Sequence, residues 1–336
     1  MKEGIVMQTV SISLQNLCAP CGCACRHCLL QSCKKAEGVD YFRGKRMAER
    51  FVKRGKSPLS SYTVAYCTEY PELFDNIAFN QSIGAMGGSF LQCNGIKIMD
   101  KQETDDFTAK LKSAGISMID TTFFGDKDYH DKFAARKGDY DFMLALAESA
   151  VKAGIICAPS LVITEENKDM LDELISVLSE ITGMQNIHTF MPDYRGRGAL
   201  MEDSRLTKES YTALSDTVKG TLNVSRYKTE AEWLSEPSLP EYTRRAVTIT
   251  LRQDNIELLE AMSCDEMVAY VERLDDEYYR TIPTINELAD MYGDSSNTRL
   301  YRPRDLFWKW QKRYIEENHI EIYNVTDERL CYTIRS

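Results

Sequence analysis

The sequence predicts an α/β fold built on a parallel sheet, and three observations carry that prediction. Short apolar runs rich in β-branched residues alternate six times with segments whose apolar residues fall three and four apart. The connections are short enough for right-handed crossovers, which makes neighbouring strands parallel. Beyond about residue 215 this alternation gives way to helical segments with capping signals, so a C-terminal α+β extension is expected over residues 216–336, after a β/α unit over 1–215.

Residues 8–14 alternate polar and apolar side chains and read as the first strand, which delivers residues 21–28 at its C-terminal end. A helical stretch, broken near Gly38, runs to about Arg54, and Gly55, Lys56, Ser57 and Pro58 punctuate it. The second strand covers residues 62–67; Pro71 then opens a helix in its first turn, where the missing N–H costs nothing. A third strand ends over 90–95, a polar helix over 104–113 returns to Gly115, and residues 116–120 form the fourth. Asp141 starts a helix with Met143, Leu146, Ala147, Ala150 and Val151 on one face, and Gly154 stops it. The fifth strand, 155–163, leads to a helix whose stripe is Leu171, Leu174, Ile175, Leu178 and Ile181; Gly183 ends it and 187–191 make the sixth strand.

In the extension, Ser263 with Glu266 and Thr284 with Glu287 are capping boxes for two helices, the second over 285–292. A further helix is expected over 304–317, its Phe307, Trp310 and Tyr314 spaced for packing, and then strands over 320–325 and 329–334 around a turn. Helix, turn, helix and hairpin describe either a winged-helix-like module or a plain α+β cap.

Hydrophobic residues make up 43% and charged residues 27% of 336, a globular balance far from disorder. The net charge of −10 argues against a nucleic-acid or anionic-membrane coat. No basic n-region opens the chain and no apolar run is long enough to span a bilayer, so a cytoplasmic, non-membrane protein is expected.

Eleven cysteines point to metal or thiol chemistry, and five of them lie between residues 18 and 28. Cys21, Cys25 and Cys28 form a C-x3-C-x2-C loop. Cysteine sulfur holds four-iron clusters, and three such ligands leave one iron open. Zinc is the competing reading, although closed zinc sites usually pair two C-x2-C knuckles and no second knuckle is present. A non-catalytic cysteine-rich metal module therefore stands beside an enzyme.

This loop, with His27 beside its last cysteine, resembles that of the radical S-adenosylmethionine (radical SAM) superfamily, and the resemblance extends over residues 8 to about 200. It implies a partial (β/α)6, TIM-like barrel, a [4Fe-4S] cluster on Cys21, Cys25 and Cys28, S-adenosylmethionine on the fourth iron, and an external electron donor such as flavodoxin or ferredoxin. The stretch Cys67, Thr68, Glu69, Tyr70, Pro71 is similar to the family's Gly-Gly-Glu-Pro, with the acidic residue kept and both glycines replaced; Thr68 and Glu69 are then candidates for the cofactor's amino group. By the same resemblance Asn94, Thr122 and Ser160 would supply a polar shell, and Met191 an apolar contact to adenine. His130 reads as a loop histidine bonded to its own backbone, and the turn Arg195, Gly196, Arg197, Gly198, Ala199 as a structural one. Cys67 and Cys93, placed at strand ends facing the reaction chamber, are candidate hydrogen-atom donors. Cys18, Cys23 and Cys33 read as spare thiols, and Cys264 and Cys331 are too few for the auxiliary-cluster extension of peptide-modifying members. The substrate is expected to be a peptide or a small molecule rather than nucleic acid.

Overall fold

The computed structural model describes residues 8–16, 21–28, 38–54, 59–64, 69–240 and 244–320. Six β/α units follow in order. They are β1 (Gln8–Asn16), α1 (Tyr41–Arg54), β2 (Leu59–Val64), α2 (Leu73–Ser82), β3 (Phe90–Gln92), α3 (Lys101–Ser113), β4 (Met118–Phe123), α4 (Lys127–Ala134), α5 (Asp139–Lys152), β5 (Ile156–Val162), α6 (Leu171–Thr182) and β6 (His188–Phe190). After them come α7 (Lys208–Ala213), α8 (Asp216–Thr221), β7 (Lys228–Thr229), α9 (Glu230–Leu234), β8 (Arg244–Leu251), α10 (Ile256–Ala261), α11 (Cys264–Thr281), α12 (Ile285–Tyr292), β9 (Leu300–Tyr301) and α13 (Pro303–Glu317).

The fold is α/β with parallel strands, as expected. Seven of the described strands form two parallel runs, β2-β1-β8 and β3-β4-β5-β6, the short β7 and β9 pair antiparallel in the C-terminal part, and among the described residues no barrel closes. The break between β2 and β3 has a local cause. Asn80 of α2 accepts from the Tyr62 N–H (3.1 Å) and donates to the Tyr62 carbonyl (2.9 Å), which Asn76 also reaches (3.0 Å). These side chains take the edge groups of β2 that a neighbouring strand would otherwise pair.

The sequence reading has no strand over 244–251, yet β8 lies parallel to β1 over nearly its whole length. Val247, Ile249 and Leu251 alternate there and pack with Ile12 and Leu14 of β1, Met47 and Phe51 of α1, and Met267 and Val271 of α11. Helix α4 is a second addition. Asp126 caps it by accepting from the Tyr129 N–H (2.9 Å), turning an expected loop into two helical turns. Helix α3 begins earlier than expected because Asp100 and Glu103 form a reciprocal capping box.

A core beneath the second run packs Ile119 and Phe123 of β4 and Leu161 of β5 against Leu111, Leu146 and Leu174 of the flanking helices. Odd positions of β4 and β5 therefore face the helices, and even positions face the opposite, inner side. In the C-terminal part both expected capping boxes are present, and Leu288, Tyr301, Leu306 and Trp310 form a separate core. The expected hairpin over 320–334 lies almost wholly outside the described residues.

Candidate functional site

Residues 21–28 lie across the C-terminal ends of the second run, where parallel β/α sheets hold their ligands. Backbone bonds fix them there. Gly22 N–H donates to the Gly95 carbonyl after β3 (2.7 Å), and Ala24 and Arg26 N–H donate to Ala134 and Phe133 at the end of α4 (2.9 and 3.0 Å). Val162 at the end of β5 and Phe190 at the end of β6 pack in the cluster that contains Cys21, Cys23 and Cys25. The turn after β6 closes the other side: Arg197 donates through its backbone N–H to the Cys28 carbonyl (3.1 Å) and through Nη1 to the Ala24 carbonyl (2.7 Å).

Two glycines allow this approach. Gly95 has φ +82°, and a Cβ there would stand 2.2 Å from Cys21 Sγ. A Cβ on Gly198 would stand 2.2 Å from the Asp193 carbonyl oxygen.

Cys21, Cys25 and Cys28 are half-buried, whereas Cys23 is buried and points its thiol at Asp139 Oδ2 (3.6 Å). A hydrogen bond with Cys21 lowers the Cys23 pKa, but a bond with Cys25, burial and the Asp139 charge together drive it well above the ordinary thiol range. Three thiols on one short loop suit a soft, sulfur-ligated metal centre. Among the described residues no three histidine, cysteine, aspartate or glutamate side chains converge on a single-ion position.

His27 lies among Phe124, Phe133 and Phe190, its ring 5.3, 5.6 and 6.4 Å from theirs, and burial pushes its pKa down to about 4. Arg26 makes a forked ion pair with Glu166, which also accepts from Tyr129 and Ser204 (both 2.8 Å). The Arg26 bond is the main reason that Glu166 is held down to about 2.

Other expected site residues fall in different places. Glu69 accepts from the Lys97 backbone N–H (2.7 Å), and Asn94 exchanges two hydrogen bonds with the Thr122 backbone (2.9 and 3.2 Å), extending the β3–β4 ladder. Thr122 and Ser160 stand side by side on the inner face. Cys67, Thr68, Cys18 and Cys33 lie outside the described residues. Two expectations are corrected. Met191 is fully buried in the core on the helix side and Phe190 takes the inner position; Cys93 likewise is fully buried among Leu73, Ile77 and Ile96 and does not face the inner side. Each is one residue out of phase with the inner face.

His130 also differs from its expectation. It sits on α4, fully buried, with Nε2 3.2 Å from Asp139 Oδ2, and Arg136 donates to the other oxygen of that carboxylate (Nε at 2.9 Å). Burial pushes the Asp139 carboxyl up, but the His130 bond and the Arg136 charge hold it below the usual range. The sequence reading also passed over Asp120 and His188. Their only sequence signal is parity: Asp120 lies two residues from Thr122 on the same strand face, and His188 stands in register with Ser160.

No helix among the described residues is long and apolar enough to cross a membrane. No family model matches the sequence, and no curated protein matches it. Partial likenesses exist among solved structures. Native anSMEcpe with bound AdoMet is 14% identical, with a TM-score of 0.38 over 55% of this chain and 52% of that one. SuiB from Streptococcus suis, bound to S-adenosylmethionine, is 14% identical, with a TM-score of 0.39 over 55% and 41%. Coproporphyrinogen III oxidase (HemN) from Escherichia coli, described as a radical SAM enzyme, is 11% identical, with a TM-score of 0.36 over 57% and 46%. The chain thus spans about half or less of the length of these three structures.

Proposed function

We propose that this chain is a radical SAM enzyme in which Cys21, Cys25 and Cys28 hold a [4Fe-4S] cluster and S-adenosylmethionine occupies the inner side beneath it. The supporting observation is the C-x3-C-x2-C loop seated on the C-terminal ends of parallel strands by main-chain bonds from three separate elements. A four-iron cluster takes each cysteine on a different iron, so its ligands need not converge on one point. When bound, the cluster and its cofactor supply a 5′-deoxyadenosyl radical for hydrogen abstraction.

The chain's own residues do the rest. Gly95 leaves clearance for the Cys21 sulfur, and Arg197 holds the far half of the loop. Phe124, Phe133 and Phe190 around His27 keep water from the loop's underside. Thr122 offers a hydroxyl group on the inner face, where the neighbouring Ser160 hydroxyl is held between Asp120 and His188, and Glu69 offers a carboxylate to an ammonium group. The substrate is a peptide or a small molecule, and the reducing electron comes from an external donor.

The test is formation of 5′-deoxyadenosine from S-adenosylmethionine by anaerobically reconstituted protein with a strong reductant. A variant with Cys21→Ala, Cys25→Ala and Cys28→Ala serves as the control. Roughly four irons with matching sulfide per chain, and product from the unaltered protein alone, are expected. One zinc per chain and no product would overturn the proposal in favour of a metal-binding module.

A further inference from the structure

The inner face carries a hydrogen-bonded row of three groups from three adjacent strands. Ser160 of β5 donates from Oγ to Asp120 Oδ1 of β4 (2.8 Å), and the same hydroxyl lies 2.7 Å from Nε2 of His188 on β6. Asp120 and Ser160 are 8% and 3% exposed, while His188, on the outermost strand of this run, is exposed. The groups facing Asp120 are Gln92 of β3, Ser160 of β5 and His188 of β6. No lysine or arginine among the described residues pairs with it.

This order is not that of a hydrolytic triad, in which the carboxylate orients the imidazole and the hydroxyl is left to attack. Here the hydroxyl is in the middle, with one proton to give and neighbours on both sides. Two arrangements satisfy it. In one, an ionised Asp120 accepts from Ser160, which accepts from Nε2–H of a His188 ring that carries both of its N–H protons. In the other, a protonated Asp120 donates to Ser160, which donates to a bare His188 Nε2. Passing between them moves one proton from His188 to Asp120 through Ser160, and the reverse moves it back; no other bond changes. Burial raises the Asp120 pKa, which brings the protonated arrangement within reach.

We infer that Asp120, Ser160 and His188 form a proton relay along the inner face, with Asp120 exchanging a proton with a substrate seated under the cysteine loop and His188 exchanging it with solvent. The seating of a substrate rests on the function proposed above; the relay does not. The test therefore uses neither cluster nor cofactor. The full-length protein, with its histidine rings isotopically labelled, is examined by NMR at one fixed pH, and the His188 signal is assigned from a His188→Gln sample among the four histidines. The His188 Nε2 shift of the unaltered protein is expected to be that of a hydrogen-bonded nitrogen, to move toward that of an unbonded one in Ser160→Ala, and to move in the nearly isosteric Asp120→Asn, which changes the other partner of the same hydroxyl. A shift that stays the same in either variant overturns the relay, because one member then takes no part. Loss of 5′-deoxyadenosine formation with an intact relay would instead speak against the proposed function alone.

Discussion

At the scale of single residues, the tightest constraint on the site is Gly95. Its positive φ and the nearness of Cys21 Sγ mean that a methyl group costs both backbone strain and displacement of the Cys21 sulfur. Gly95→Ala is expected to lower iron retention after reconstitution and to destabilise the fold by about 1–3 kcal/mol; iron content and a urea midpoint check it, and full loading at unchanged stability would refute it. The ion pair of Arg26 and Glu166 acts differently. Both groups are about two-fifths exposed, so its worth is only ~0–1 kcal/mol. The pair depresses the Glu166 pKa, so its stabilisation is present above the ordinary value of 4.5 and is lost as pH falls toward about 2. Glu166→Gln should abolish that part of the acid sensitivity and change little at neutral pH, as read by melting temperature against pH.

At the scale of elements, α2 and β2 form a unit in which asparagine side chains stand in for a strand. Asn80→Ala would remove the side chain that accepts from the Tyr62 N–H and donates to its carbonyl, and a loss of about 1–3 kcal/mol is expected in denaturant unfolding. A loss below a few tenths would mean that β3 or water takes over the edge. The alternation of strands and helices was legible because stripes such as Leu174, Ile175 and Leu178 leave a helical period in the sequence. Strands covered on both faces leave no such sign of direction. Nothing local tells which parity of β3, β4, β5 or β6 meets the helices, and so the sequence points to Met191 where the structure has Phe190 and to an inward thiol where Cys93 is buried in the helix-side core. The triad loop needed no parity, since it lies on a turn. Strand β8 was missed for a related reason: its alternation is real, but its partner β1 is at the other end of the sequence.

At the scale of the whole molecule, a buried ionic chain ties the C-terminal helices to the exit of β6. Asp305 at the start of α13 accepts from Arg302 (Nε at 3.0 Å) and Arg205 (3.3 Å) and from the Tyr194 N–H (3.0 Å), and Arg302 also reaches Asp193. Burial pushes the Asp305 carboxyl up, but the charges of Arg205 and Arg302 outweigh it and hold it below the ordinary range. Stability from this group is therefore present above the usual carboxylate range and is lost as pH falls below it. Asp305→Asn removes the charge between two arginines and should cost about 3–5 kcal/mol at neutral pH, with a shallower decline in acid than the unaltered protein shows. Equal acid slopes in the two proteins would place the labile carboxylates elsewhere.

The pairing of β1 with β8 also sets an order of events. A ribosome releases β1 long before it has translated residues 244–251, and until then one edge of that strand has no partner. The first sheet is therefore completed late and through contacts of very long sequence separation, which slow folding and leave a sticky edge exposed meanwhile. For this chain, yield in a cell depends on how quickly its last third arrives.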